Sequence, residues 1–119
     1  MPLGTIETPM REVLSVMTQK EVRGIAGVLD DAGKLVGVVT DGDLRRRLDK
    51  SLNPLADRAG DLMSRAPKTV DASELAERAL FMMEHFKIQT LFVLNREAEN
   101  STRPVGLLHL QDLLQAKLR

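Results

Sequence analysis

With 119 residues, the chain is long enough for one compact unit with a hydrophobic core but small for a metabolic enzyme. Its 17 basic and 17 acidic residues cancel, so no overall field attracts nucleic acid or an anionic membrane, and a bound anion must be held by local geometry. Cysteine, Trp and Tyr are absent, which excludes disulfides and thiolate metal sites and disfavours stacking platforms for single-stranded nucleic acid. With no secretory signal and no apolar run near the ~20 residues of a membrane span, the sequence predicts a cytoplasmic domain.

The first half of the sequence alternates short apolar strands with helices. Apolar residues recur at helical spacing before Gly24, and two apolar runs flank an Asp- and Gly-rich turn at 30–33, which predicts a hairpin. The predicted elements are an extended lead-in at 1–4, a helix from Thr8 as N-cap to about Lys20, strands at 25–29 and 35–40, and a helix at 43–49 with Asp43 as N-cap.

The second half repeats this order after a connector with an apolar anchor at Leu62 and Met63. Its predicted elements are a lead-in at 67–71, a helix that opens at Ser73 and Glu74, strands at 88–94 and 105–109, and a last helix at 112–118. Each half is therefore β-α-β-β-α. We expect an α/β (α+β) fold in which two similar halves pack about a pseudo-twofold axis.

A ten-residue motif at 37–46 contains the candidate binding residues. A glycine and two valines lead into Thr40, Asp41, Gly42 and Asp43, and three arginines follow. The motif recurs at a constant offset of 106 − 37 = 69, which pairs Gly37 with Gly106, Thr40 with His109 and Asp43 with Asp112. A strand that runs directly into a helix presents backbone N–H groups and a positive dipole end, which favour phosphate or carboxylate ligands. The turn at 40–43 is therefore the candidate binding site.

This tandem motif resembles the paired cystathionine-β-synthase (CBS) domain, or Bateman module, over essentially the whole chain. The first motif, together with Leu107-Leu108-His109, is similar to the C-terminal module of bacterial D-arabinose 5-phosphate isomerases, which make the precursor of the lipopolysaccharide sugar Kdo. The resemblance implies one repeat at 1–50, a connector at 51–66 and a second repeat at 67–119. It also implies a regulatory role, with a catalytic sugar-isomerase domain that lies N-terminal to the module and is absent here.

The resemblance further implies two clefts, each combining the lead-in and first long strand of one repeat with the turn of the other. One cleft would be formed by Lys68, Thr69, Val70, Gln89 and Thr90 together with Thr40, Asp41, Gly42 and Asp43. There Asp43 would accept from ribose hydroxyls, and Thr40 would donate to a phosphate. Of the three arginines, Arg46 is the one we select to reach a ligand carboxylate or phosphate. The other cleft would combine Pro2, Leu3, Gly4, Gly24 and Ile25 with His109 and Asp112. His109 departs from the Thr/Ser pattern and could bind phosphate as a cation or fill its cleft, so we favour the Thr40/Asp43 cleft.

Several functions stay open at this stage. If the isomerase resemblance holds, CMP-Kdo, the activated end product of the pathway, is the expected effector. AMP, ADP and ATP are the competing ligands. A ligand-free oligomerisation module is the alternative. Asp41 and Asp43 specify Mg²⁺ only weakly, so no metal site is predicted. No nucleophile–base arrangement and no Walker or Rossmann fingerprint is present, so no active site is predicted either. We expect the methionines to pack in the interior, His85 to lie on a helix surface, and apolar helix faces to form a homodimer.

Overall fold

The computed structural model describes residues 1–18, 24–74, 76–97, 99 and 101–117. The chain divides into two compact units, Met1–Pro67 and Lys68–Arg119, and each unit carries a sheet. Both units combine strands with helices, which confirms the predicted α/β (α+β) class. Among the described residues, no helix is long and apolar enough to cross a membrane.

The first unit is a four-stranded sheet with helices. Its elements are β1 (Leu3–Thr5), α1 (Met10–Met17), β2 (Ile25–Leu29), β3 (Leu35–Thr40), α2 (Asp41–Leu48), α3 (Ala59–Leu62) and β4 (Ser64–Arg65). The strand order is β1-β2-β3-β4, with β1 parallel to β2 and the other pairs antiparallel. The predicted hairpin of β2 and β3 is confirmed. Its turn is held by the Asp30 carboxylate, which accepts from the Ala32 and Lys34 amides at 2.9 Å, and Gly33 has a φ of 83°.

The second unit repeats the first five elements of the first unit. Its elements are β5 (Thr69–Asp71), α4 (Ala76–Phe86), β6 (Thr90–Leu94), β7 (Gly106–His109) and α5 (Leu110–Lys117). The strand order is β5-β6-β7, with β5 parallel to β6 and β6 antiparallel to β7. The predicted β-α-β-β-α order is therefore confirmed in both halves. Helix α3 and strand β4 are additions that the sequence pattern did not predict, and they lie within the segment interpreted as a connector.

Each unit has its own apolar core. The strand β2 is buried at all five residues, as expected for an apolar strand in the interior of a sheet. The first core is formed by Met10, Val13, Met17, Ala26, Val28, Val39, Ala59 and Leu62. The second is formed by Val70, Ala79, Met82, Met83 and Leu91. Four of the methionines predicted to pack are buried in these cores and Met63 packs against the first, so that prediction is confirmed.

Two predicted helix N-caps are wrong, and hydrogen bonding explains both. Helix α1 begins at Met10 with Pro9 as N-cap, because the Thr8 hydroxyl instead accepts from the Thr5 amide at 2.8 Å. The first free amides of α1 donate to backbone carbonyls, Met10 to Asp57 at 2.8 Å and Arg11 to Leu55 at 3.0 Å. Helix α2 begins two residues earlier than predicted, because Thr40 is its N-cap rather than Asp43.

Other boundaries differ by a few residues. Helix α1 ends at Met17, and the predicted extension to Lys20 falls outside the described residues. Strand β6 begins at Thr90 rather than at Ile88, since Lys87 has a φ of 56° and turns the chain just before it. Helix α5 follows β7 without a gap and begins at Leu110, and α4 is described from Ala76 onward.

The two motif glycines give a testable contrast between the units. A Cβ on Gly37 would lie 2.5 Å from the Met63 Sδ atom and 3.0 Å from the Ser64 carbonyl oxygen, where β4 pairs with β3. A Cβ on Gly106 would meet the Val93 Cβ atom at 3.7 Å, which is ordinary contact. We expect Gly37→Ala to lower the free energy of unfolding by about 1–3 kcal/mol through overpacking.

The matched variant Gly106→Ala should leave the free energy of unfolding unchanged or raise it by up to about 1 kcal/mol, because alanine restricts the unfolded chain. Urea unfolding followed by circular dichroism measures both variants. Equal losses of stability in the two variants would contradict the close approach of β4 to Gly37.

Candidate functional site

The turn between β3 and α2 is built by a reciprocal hydrogen-bonded cap. The Asp43 amide donates to the Thr40 hydroxyl at 3.4 Å, and the Thr40 amide donates to Asp43 Oδ2 at 2.9 Å. The Thr40 hydroxyl also donates to the same carboxylate oxygen at 3.1 Å. This capping box satisfies backbone donors that a helix start otherwise leaves free. Oδ2 of Asp43 is thereby committed to holding the turn.

The other oxygen of Asp43 faces side chains rather than the cap. Oδ1 accepts from Arg46 Nη2 at 2.6 Å and from the Ser64 hydroxyl at 2.7 Å. The Asp43 residue is 5% exposed, whereas the Arg46 side chain is 68% exposed. A cavity of about 140 Å³ lies beside this pair, lined by Asp43, Arg46, Arg47, Lys50, Asp61 and Leu62. Asp43 is therefore a buried acceptor whose cover is a solvent-exposed cation.

The three arginines of α2 have different surroundings. Arg45 is exposed, and the Arg46 guanidinium lies back over the first turn, where a Cβ on Gly42 would be 3.4 Å from its Nη1 atom. Arg47 Nε donates to the Asp57 carboxylate at 2.9 Å. The Ser51 hydroxyl, followed by Arg47, lowers the pKa of Asp57 below its ordinary value. The Arg46 guanidinium thus lies directly beside Gly42 at the start of the helix.

Asp41 does not join Asp43 in a pair of carboxylates. Its Oδ2 atom lies where a Cβ on Gly24 would come within 2.6 Å, and Gly24 has a φ of 80°. The carboxylate of Asp41 therefore lies against the Gly24 backbone. Among the described residues, no group of three or more His, Cys, Asp or Glu side chains could hold a metal ion.

The predicted site residues of the second unit occupy the start of β5 and the approach to β6. Lys68 is exposed and its Nζ atom lies 4.5 Å from the centroid of the Phe86 ring. Thr69 and Thr90 are half-buried, whereas Val70 belongs to the second core. Gln89 is exposed, and its carbonyl accepts from the Leu110 amide at 2.8 Å. The Val70 side chain packs inside, so a contact between this residue and a ligand would have to use its backbone.

The second turn lacks the Thr40 arrangement because His109 stands in its place. His109 ends β7 opposite Thr90, just as Thr40 ends β3 opposite Ile25. It is 7% exposed, and its Nδ1 atom has no hydrogen-bond partner among the described residues. Asp112 lies in the first turn of α5. Of the residues predicted with them, Pro2 and Ile25 are buried, and Leu3, Gly4 and Gly24 are half-buried.

Two polar features went unpredicted. Ser64 reaches Asp43 across 21 residues of sequence, and no local pattern signals such a contact. Asp71 is 8% exposed, and it accepts from the Ser73 amide at 3.0 Å, from the Ser73 hydroxyl and from the Arg96 amide at 2.8 Å. Bonds from Ser73, then from Arg96, hold the pKa of Asp71 far below its ordinary value. The sequence Asp71-Ala72-Ser73-Glu74 is a recognisable capping signal, but its Arg96 partner is not.

Three relatives that are similar in sequence are bacterial arabinose 5-phosphate isomerases. The chain is 40% identical over 116 residues to arabinose 5-phosphate isomerase KdsD of Pseudomonas aeruginosa, covering 98% of the chain and 34% of that protein. It is 30% identical to KdsD of Yersinia pestis, covering 97% of the chain and 33% of that protein. It is 28% identical to arabinose 5-phosphate isomerase KpsF of Escherichia coli, covering 93% of the chain and 32% of that protein. The chain therefore spans about a third of the length of these curated relatives.

Solved structures show the same fold. A crystal structure of the CBS domain protein NE2398 matches with a TM-score of 0.81 at 21% identity, covering 98% of the chain and 87% of that structure. CBSX2 in complex with AMP matches with a TM-score of 0.76 at 28% identity, covering 98% of the chain and 86% of that structure. The sequence profile of the CBS domain matches twice, at residues 5–50 and 59–119. The chain therefore belongs to the CBS domain family and consists of a tandem pair of CBS repeats.

Proposed function

We propose that this chain is a regulatory module that senses a nucleotide or nucleotide sugar on behalf of an arabinose 5-phosphate isomerase. The observation that carries the proposal is the Asp43 carboxylate, a buried acceptor at the end of a strand with one oxygen held by the helix cap and the other turned toward exposed side chains. Vicinal hydroxyls of a ribose are donors that suit such a carboxylate. The AMP complex of CBSX2 and the names of the KdsD and KpsF relatives support the ligand class and the pathway.

The anionic part of the ligand falls to the positive groups around the turn. The Thr40 hydroxyl is engaged in the capping box, so in our proposal it positions Asp43 rather than donating to a phosphate. The Arg46 guanidinium lies over the first turn of α2, where the helix dipole also favours negative charge. Lys68, Thr69, Val70, Gln89 and Thr90 stay predicted contributors from the CBS resemblance, as do Asp41, Gly42, His109 and Asp112.

CMP-Kdo is our preferred effector within this class. It would be the activated end product of the pathway in which the isomerase relatives act, and it combines a ribose, a phosphate and a carboxylate. Adenine nucleotides are the second candidate, because the similar CBSX2 structure holds AMP. A module without a ligand, which only holds an assembly together, is the alternative of a different class.

A thermal-shift and calorimetric screen of this chain with CMP-Kdo, CMP, AMP, ADP and ATP tests the proposal. A ligand at 100 times its Kd should stabilise the folded chain by about 2.7 kcal/mol. Asp43→Asn should remove the shift, and the matched control Asp31→Asn, in the exposed hairpin turn, should retain it. A response to adenine nucleotides alone would retain the module and reject the pathway effector. No response to any ligand would favour the ligand-free module.

We further propose that the module forms a homodimer through the exposed face of α4. Phe81 and Phe86 are 55% and 41% exposed, and the His85 ring, which lies on the helix surface as predicted, stacks on Phe81 at 5.6 Å. Arg78 and Lys68 flank these rings within cation–π distance. An aromatic patch of this kind is typical of a protein–protein contact. Phe81→Glu should convert the dimer to a monomer in sedimentation equilibrium with little change in thermal stability, and an unchanged mass would reject this face.

A further inference from the structure

The cover of Asp43 has a consequence for ligand selection, which rests on the proposed function of this site. Oδ2 holds the Thr40 cap and cannot be given up without opening the start of α2. A ribose diol must therefore approach Oδ1, which is occupied by Arg46 Nη2 at 2.6 Å and by the Ser64 hydroxyl at 2.7 Å. Binding of a diol at Asp43 is thus an exchange of donors and not an addition.

The donor that leaves is Arg46 rather than Ser64. Ser64 is placed by β4, where it pairs with Val38 of β3, so its hydroxyl is carried by the sheet. The Arg46 side chain is 68% exposed and hangs from the solvent side of α2, so it can swing without disturbing the backbone. Its guanidinium lies over Gly42, where even a Cβ would be in ordinary contact at 3.4 Å, so position 42 does not hold it in place.

Releasing Arg46 breaks a charge-assisted hydrogen bond, and a neutral diol cannot replace its charge. The released guanidinium stays beside a cavity whose other cations are Arg47 and Lys50. Arg47 is already bonded to Asp57 at 2.9 Å. An anionic group on the same ligand would accept hydrogen bonds from the freed guanidinium and form a new ion pair in place of the one lost. Guanidinium groups bind phosphate and carboxylate in the same paired geometry.

We infer that Arg46 exchanges between Asp43 and the anion of the ligand, and so makes this site select molecules that carry a vicinal diol and a phosphate or carboxylate together. Nucleosides lack the anion and inorganic phosphate lacks the diol. A nucleoside can therefore bind Asp43 but not the released Arg46, and inorganic phosphate can bind Arg46 but cannot replace it at Asp43. A nucleotide, or a sugar nucleotide with a nearby carboxylate, can bind both Asp43 and the released Arg46.

Isothermal titration calorimetry with AMP against adenosine and CMP against cytidine tests the exchange. The wild-type chain should prefer the nucleotide of the responding pair by about ten- to hundredfold, the range expected for one hydrogen bond to a charged group. In Arg46→Met the nucleotide should bind more weakly and the nucleoside more tightly, because Asp43 is then open. The matched variant Arg45→Met, with the same charge change on an exposed position of α2, should keep both wild-type affinities.

The nucleoside affinity is the deciding measurement. If Arg46 only contacts the phosphate, Arg46→Met weakens the nucleotide and leaves nucleoside binding unchanged, which would overturn the exchange while the proposed function stands. If the wild-type chain binds no nucleotide at all, the proposed function fails and the exchange fails with it. Circular dichroism of Arg46→Met before titration establishes that the variant is folded.

Discussion

Asp43→Ala should abolish nucleotide binding and lower the free energy of unfolding of the first unit by about 2–3 kcal/mol. The two effects come from the two oxygens. Loss of Oδ2 removes the acceptor of the Thr40 amide and half of the capping box, and loss of Oδ1 removes the acceptor proposed for the ligand diol. Because Asp43 is 5% exposed, water replaces these contacts poorly. Urea unfolding followed by circular dichroism and calorimetric titration with the responding nucleotide measure the two losses.

Two further variants separate the cap from the ligand site. Asp43→Asn keeps one acceptor for the Thr40 amide, so it should retain more stability than Asp43→Ala and still lose the ligand. Asp31→Ala removes an exposed carboxylate of the β2–β3 turn and should change neither quantity. Retention of full nucleotide affinity by a folded Asp43→Asn chain would assign Asp43 to the helix cap alone.

Asp71→Asn should destabilise the second unit at neutral pH, and the deficit should shrink in acid. The carboxylate of Asp71 accepts from Ser73 and from Arg96, which keeps its pKa far below the ordinary value. A group with a lowered pKa stabilises the fold at every pH above its unfolded value of about 3.9, and that stabilisation is lost as the pH falls through the folded pKa. Asparagine does not titrate, so the variant should lack this part of the acid dependence.

Urea unfolding of wild type and Asp71→Asn between pH 7 and pH 2.5 measures the effect. The two curves of unfolding free energy should lie parallel near neutral pH and converge below about pH 4. Asp57 in the first unit also has a lowered pKa, because of Ser51 and Arg47, so the variant should retain some acid sensitivity. Curves that stay parallel down to pH 2.5 would contradict the role of the ionised Asp71 carboxylate.

The prediction of the candidate site from sequence was partial. Thr40 and Asp43 are spaced three residues apart after a buried strand, and this spacing is sufficient to place a helix start and a carboxylate at the end of β3. The sequence predicted Asp43 as the N-cap of α2, whereas Thr40 is the N-cap, because a threonine and an aspartate at this spacing can each cap a helix. The backbone geometry identifies Thr40 as the N-cap. Thr40 has the extended backbone of an N-cap, with a φ of −121°, and the Asp43 carboxylate accepts from the Thr40 amide.

The start of helix α1 could not be predicted from the sequence either. Its apolar face is visible in the sequence, since Met10, Val13 and Met17 recur at helical spacing and are buried. Its start is set by the carbonyls of Leu55 and Asp57, which accept the first amides from more than 40 residues away in sequence. A cap supplied by distant backbone leaves no residue type by which a sequence could reveal it.

Local patterns in the sequence are sufficient to predict the tandem repeat, the β-α-β-β-α order of each half, the hairpin and the strand-to-helix turn at 40–43. All of these depend on spacings of a few residues, in which apolar periodicity and turn chemistry act locally. Tertiary contacts determine which donors cover Asp43 and bring Ser64 on β4 to it. They also bury His109, whose Nδ1 atom has no hydrogen-bond partner among the described residues. These features depend on strand pairing and side-chain contacts between distant segments, whose geometry no local pattern encodes.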